Sequence, residues 1–213
     1  MITLKVDPDN PDTKAIRTAA DAIRRGELVI FPTETVYGLA ADAFNEDAVK
    51  LVYDAKGRRD HEPLPVQVDG IEGVFKAAEF LPPLAGRLAR LYWPGPLTLV
   101  LTRSAALPSL VTAGKGTVGV RVPDHPVALA LVKEVGSPIV ATSANLSGGP
   151  APTNAEQAIR AVGEKVSVVL DGGKARFGVS STVVDMTVSP PRILRVGTIG
   201  VDEIRKVLGE VEQ

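Results

Sequence analysis

The chain has 213 residues, a net charge of −1, 45% hydrophobic and 23% charged residues, the balance of a globular domain with a sizeable core. It has no cysteine and two histidines, His61 and His125, which excludes disulfides, thiolate metal sites and the usual zinc or Ser-His-Asp centres. No apolar run approaches the roughly 20 residues of a membrane span, and Ile2-Thr3-Leu4-Lys5-Val6 opens as a strand, not an apolar leader. One domain over residues 1–213, cytoplasmic, with no membrane partner and no metal of its own, is therefore expected.

In chain order, Asn10-Pro11 supplies a cap and first-turn proline for a helix whose apolar residues are Ile16, Ala19, Ala20 and Ile23, ended by Gly26. Leu28 to Phe31 reads as a buried strand stopped by Pro32. Asn45 with Glu46 and Asp47 opens a second helix, with Ala48, Leu51, Val52 and Ala55 inward and an end at Lys56-Gly57. A strand at 66–68, a helix from Pro83 to Tyr92 and a strand at 97–102 follow. Further strands are expected at 118–122, 139–141, 166–170, 182–185 and 193–196, with helices near 126–135, 154–162 and 201–208. Strands and helices alternate without a strict βαβ repeat, which predicts an α/β (α+β) fold, a mixed twisted sheet with helices packed on it.

Chemistry concentrates where strands end. Pro32-Thr33-Glu34-Thr35-Val36-Tyr37-Gly38-Leu39 places hydroxyls and a phenol directly after a strand. In Thr117-Val118-Gly119-Val120-Arg121-Val122, alternation sets the valines on one face and Thr117, Gly119 and Arg121 on the other. Arg121 then either faces a ligand or is solvated. Gly114, Gly116 and Gly119 spell a dinucleotide fingerprint, but a strand stands where its helix must begin. No phosphate-loop motif occurs, so a nucleotide would be held by side chains and turns. Lys56, Arg58 and Arg59 complement a helix C-terminus, form a solvated face, or clamp phosphates. Ser143 and Asn145 lie in a turn that can be structural or can present a hydroxyl and an amide. Thr153 with Glu156 has the spacing of a capping box, and Trp93-Pro94-Gly95-Pro96 reads as a rigid packed turn.

Taken together, residues 32–39, Lys56-Gly57-Arg58, Trp93 to Thr98, Val120 to Pro123, Ser143-Ala144-Asn145, Ser181 to Asp185 and Leu194 to Gly197 resemble the YrdC family of threonylcarbamoyl-AMP synthases, over about residues 10 to 200. The resemblance implies a twisted open sheet around a large positively charged cavity. The implied reaction joins ATP, L-threonine and bicarbonate into threonylcarbamoyl-adenylate and pyrophosphate, for the modification of adenosine in tRNA by a transferase machinery, with direct RNA contact also possible. It implies Lys56 and Arg58 as catalytic residues. Thr33, Tyr37, Arg58, Gln67, Arg121, Ser143 and Ser181 would surround threonine, and Lys56, Thr117, Asn145, Thr153 and Arg195 would hold ATP with its Mg2+. The family commonly has proline where this chain has Arg59, and histidine where it has Gln67.

This chemistry asks for anion binding and no strong nucleophile, since threonine's amine can take up CO2 and the carbamate can attack the α-phosphate. A non-enzymatic RNA-binding module is the alternative reading, disfavoured by the −1 net charge. Strand parity further predicts that Arg121→Leu would leave the fold largely intact.

Overall fold

A computed structural model describes residues 1–57 and 62–213. Its strands are β1 (Ile2–Lys5), β2 (Val29–Phe31), β3 (Gly38–Asp42), β4 (Val66–Gln67), β5 (Leu97–Thr102), β6 (Thr117–Arg121), β7 (Ile139–Ser143), β8 (Val168–Asp171), β9 (Thr182–Asp185) and β10 (Arg192–Arg195). The helices are α1 (Thr13–Arg24), α2 (Glu46–Lys56), α3 (Ile71–Ala77), α4 (Pro83–Tyr92), α5 (Pro126–Val135), α6 (Ala155–Val162) and α7 (Val201–Leu208), with a 3-10 turn at Gly163–Lys165. The strands form one mixed sheet in the order β1-β8-β2-β3-β7-β4-β6-β5-β9-β10.

Helix boundaries follow local chemistry. Asp12, not Asn10, caps α1, its carboxylate accepting from the amides of Lys14 and Ala15. Asn45 caps α2 as expected, and Gly57 ends it at φ 55°, a left-handed conformation that suits glycine. The inward face of α2 includes Val49, whereas Leu51 is exposed. Asn154, not Thr153, caps α6, accepting from Gln157 N, while Thr153 N and Oγ1 bond the Gln157 side chain. Two elements escaped the sequence reading, β3 and α3.

Strand parity divides the core in two. Leu28, Ile30, Leu39, Ala41, Val118, Val120, Leu97, Leu99 and Leu101 belong to one buried cluster that also takes up residues of α2, α3, α4, α6 and α7. Val29, Phe31, Ala40, Ile139, Ala141, Val168 and Leu170 join α1 and α5 in a second cluster on the opposite face. That second cluster ends at β7. Beyond it, β4, β6, β5, β9 and β10 contribute no residue to this cluster among the described residues. Side chains there are not forced to be apolar, because nothing apolar covers them.

Candidate active site

This half of the sheet face carries a half-open cavity of about 310 Å³. Its floor is Gln67 of β4, Gly119 and Arg121 of β6, and Thr98 and Val100 of β5; its walls are Thr35 and Val36, Ser143 at the end of β7, and Ser181, Leu194 and Arg195. Parity explains the floor: Val118 and Val120 point into the core, which turns Gly119 and Arg121 to the cavity. A Cβ on Gly119 would lie 3.1 Å from Thr98 Cγ2, so glycine keeps this part of the floor open.

Arg121 is not solvated. It is 7% exposed, and its Nε donates to Gly95 O at 3.1 Å, Nη1 to Thr35 Oγ1 at 3.0 Å, and Nη2 to Glu34 Oε1 at 2.6 Å. Glu34 is 1% exposed, and its Oε2 has no hydrogen-bond partner among the described residues. A guanidinium has five N–H donors. Among the described residues three are spent on protein, which leaves one on each terminal nitrogen.

The turn after β2 organises this pair. Because Thr33 donates its one hydroxyl proton to Val36 O at 2.6 Å, its Oγ1 accepts from the Thr35 hydroxyl at 2.8 Å, and Thr35 Oγ1 accepts in turn from Arg121. The Thr33 hydroxyl also accepts from the amides of Thr35 and Val36. Thr33 is thus a turn former one layer behind the wall, and Thr35 stands at the cavity surface in its place. Tyr37 also lies behind the wall. Its phenol donates to Gly173 O at 2.6 Å and accepts from Gly172 N at 3.1 Å, while burial, then the Asp171 carboxylate, push its pKa well above the usual value. The 172–178 segment is held further by Phe177 N to Glu34 O and Gly178 N to Thr35 O.

On the opposite wall, Arg195 donates from Nε to Ser181 O at 3.1 Å and from Nη2 to Ser181 Oγ at 3.2 Å, and Ser181 Oγ lies 2.8 Å from Thr98 Oγ1. Burial, then the positive charge of Arg121, lower the Arg195 pKa from its ordinary value. Gly197 is required here, since a Cβ would come within 2.2 Å of Ser180 O. Lys56 is buried at the end of α2, donating to Ser143 O at 2.5 Å and Asn145 O at 2.7 Å. Asn145 lies in an adjoining hollow of about 500 Å³ with Pro150, Thr153 and Arg160. Its amide nitrogen bonds Leu146 O and Gly149 O, and its buried Oδ1 has no partner among the described residues.

The structure therefore brings Gln67, Arg121, Ser143, Ser181 and Arg195 to one cavity, and Asn145 and Thr153 to its neighbour. Gln67 Oε1 is buried without a partner among the described residues. Thr117 sits at the far end of β6 from Arg121, off the cavity lining. Arg58, Arg59 and His61 lie outside the described residues. Glu34, Thr35 and Thr98 carry no role in the sequence reading. Glu34 had a signal: it is the one charged residue between Leu28 and Ala41, and a charge inside so apolar a stretch needs a partner. Its partner is 87 positions away. The Trp93 turn is the packed one expected, its indole donating to Leu97 O at 2.7 Å.

Comparison with known proteins gives the same fold and sequence family. Residues 21–197 match the Sua5/YciO/YrdC family model, whose description is "Telomere recombination". The chain is 47% identical over 196 residues to a threonylcarbamoyl-AMP synthase of Pyrococcus abyssi, covering 92% of this chain and 58% of that protein. It is 46% identical to the Bacillus subtilis threonylcarbamoyl-AMP synthase, covering 92% and 57%. The crystal structure of P. abyssi Sua5 complexed with L-threonine superposes with a TM-score of 0.96 at 45% identity, over 100% of this chain and 62% of that one. The chain thus spans less than two thirds of the length of these relatives. Fold and sequence identity agree over most of its residues, and the chain belongs to the Sua5/YciO/YrdC family.

Proposed function

We propose that the chain is a threonylcarbamoyl-AMP synthase domain, converting ATP, L-threonine and bicarbonate into threonylcarbamoyl-adenylate and pyrophosphate. The observation that carries this reading is the pairing on one cavity of Arg121, with an N–H left on each terminal nitrogen, and Arg195 across from it. Arg121 suits a carboxylate, which a planar fork grips at two points. Ser143, Ser181 and the unpartnered carbonyl of Gln67 suit the hydroxyl and amine of an amino acid. Arg195 supplies a cation for phosphate. The names of the two relatives and the threonine in the P. abyssi structure support the same assignment.

In this reading the threonine amine adds to CO2 derived from bicarbonate, giving a carbamate. A carbamate oxygen attacks the α-phosphorus of ATP, and pyrophosphate leaves with the electron pair of the broken P–O bond. The residues of the cavity orient the two reactants and offset developing negative charge. Arg121 fixes the amino acid, Arg195 faces the phosphates, and Lys56 holds the Ser143–Asn145 turn between the two hollows. Mg2+ is assigned to the ATP phosphates as part of the nucleotide substrate, where it would offset phosphate charge. The product would pass to a transferase acting on tRNA in the cytoplasm.

The test is pyrophosphate release with each of ATP, threonine and bicarbonate left out in turn. Release that needs all three is expected; release as fast without threonine would sink the synthase reading.

A further inference from the structure

Arg121 and Arg195 share one cavity, yet the two guanidiniums are not equivalent. Among the described residues, Arg195 bonds only neutral groups, Ser181 O and Ser181 Oγ. Arg121 is backed by the Glu34 carboxylate at 2.6 Å, in a pair whose side chains are 8% and 1% exposed. At so short a distance and so little water, the two charges largely cancel as seen from the cavity. What Arg121 still offers is geometry, one N–H on each terminal nitrogen.

We propose that Glu34 is a positioning residue that reserves Arg121 for a single carboxylate and keeps phosphate on the Arg195 side of the cavity. The inference deepens the synthase reading and rests on it for the identity of that carboxylate as threonine's. A ligand on the fork sits one guanidinium away from Glu34. A carboxylate and a phosphate can take the same two hydrogen bonds. With Glu34 behind the fork, however, little net positive charge is left to offset desolvation, which grows as the square of the charge and is about four times larger for a dianion than for a monoanion. Glu34 also lies beside the nearer of the two arginines on this cavity, whose charges would otherwise repel with no carboxylate between them. Removing the carboxylate leaves Arg121 as a buried cation in need of a counter-ion, and an anion in the cavity can supply one.

The test titrates sodium sulfate calorimetrically into the parent chain, Glu34→Gln and Glu34→Asp, with and without saturating threonine. Glu34→Gln keeps the length and an acceptor for Nη2 but removes the charge; it should bind sulfate about tenfold more tightly than the parent, the effect of one charged contact, and sulfate should displace threonine from it. In the parent, sulfate should leave the threonine isotherm unchanged. Glu34→Asp keeps the charge but shortens the reach, so it should lose threonine affinity without gaining sulfate. Equal sulfate affinity in the parent and Glu34→Gln, sulfate displacing threonine from the parent, or a gain of sulfate by Glu34→Asp overturns the proposal. If Glu34→Gln is too unstable for calorimetry, a rise in its thermal midpoint with sulfate larger than the parent's supports the proposal, and an equal rise overturns it. A parent that binds no threonine while the sulfate arms behave as expected removes the synthase reading and leaves the role of Glu34 standing.

Discussion

The ammonium of Lys56 lies 2.5 Å from the carbonyl oxygen of Ser143 and 2.7 Å from that of Asn145, tying the last turn of α2 to the turn after β7. This buried cation is part of the framework as well as a candidate partner of ATP. Lys56→Met should therefore cost about 1.5 to 3 kcal/mol of stability, the range for a hydrogen bond to a charged group, as well as weakening nucleotide binding. Urea unfolding alongside a nucleotide titration checks this. Weaker nucleotide binding at unchanged stability would mean that Lys56 serves ATP alone.

Arg121 carries a similar double role, and here the structure corrects an expectation from strand parity. Parity places Arg121 opposite the valine face, from which Arg121→Leu should be harmless to the fold. The buried Glu34 carboxylate makes it costly: breaking a buried pair at one end typically costs about 3 to 5 kcal/mol, while replacing both partners with apolar residues is often neutral. Arg121→Met should be strongly destabilised, and Arg121→Met with Glu34→Met should recover most of that loss without recovering threonine binding. A double variant no more stable than the single one would contradict the pair's assigned weight.

Tyr37 predicts a local effect. Tyr37→Phe removes the donor to Gly173 O and the acceptor for Gly172 N, at a cost of about 1 to 3 kcal/mol for groups left unpaired. Amide hydrogen exchange should quicken in residues 172–178 more than in β6. Uniform exchange rates across both regions would show that the phenol does not secure this segment.

His125 predicts a pH dependence. Its Nδ1 accepts from Val127 N and caps α5, so the neutral ring is the folded form, and burial lowers its pKa from 6.5. A group with a depressed folded pKa contributes stability that is present above its unfolded pKa. That contribution is lost as pH falls below about 6.5 through the folded value. His125→Asn, which can cap without titrating, should flatten the pH dependence of the thermal midpoint in that window. An unchanged profile would locate the acid sensitivity elsewhere.

Much of the fold is legible wherever local chemistry and tertiary packing agree. Pro83 and Pro126 open α4 and α5 at their expected positions, and the alternation of 97–102 marks β5. β3 was hidden because Gly38-Leu39-Ala40-Ala41-Asp42 lacks the β-branched residues of a typical strand; it is a strand because it lies between β2 and β7, with Gly38 leaving room for the Phe31 ring. α3 was hidden by Gly73, which costs helix propensity and is overridden by the burial of Val74 and Ala77. In the site, parity oriented Arg121, but no local pattern could pair it with Glu34 across 87 positions. Nor could spacing show that Thr33 spends its hydroxyl within its own turn while Thr35 reaches the cavity.

The central claim is that this cavity joins threonine, CO2 and AMP. The most direct measurement supplies the chain with Mg-ATP, threonine and 13C-bicarbonate, quenches the mixture promptly and reads the nucleotide products by mass spectrometry. An adenylate containing threonine and one 13C, formed with an equal amount of pyrophosphate and absent from Arg121→Lys or greatly reduced in it, is the predicted result. Pyrophosphate or AMP appearing with no 13C-labelled threonine adduct on the adenylate would contradict it.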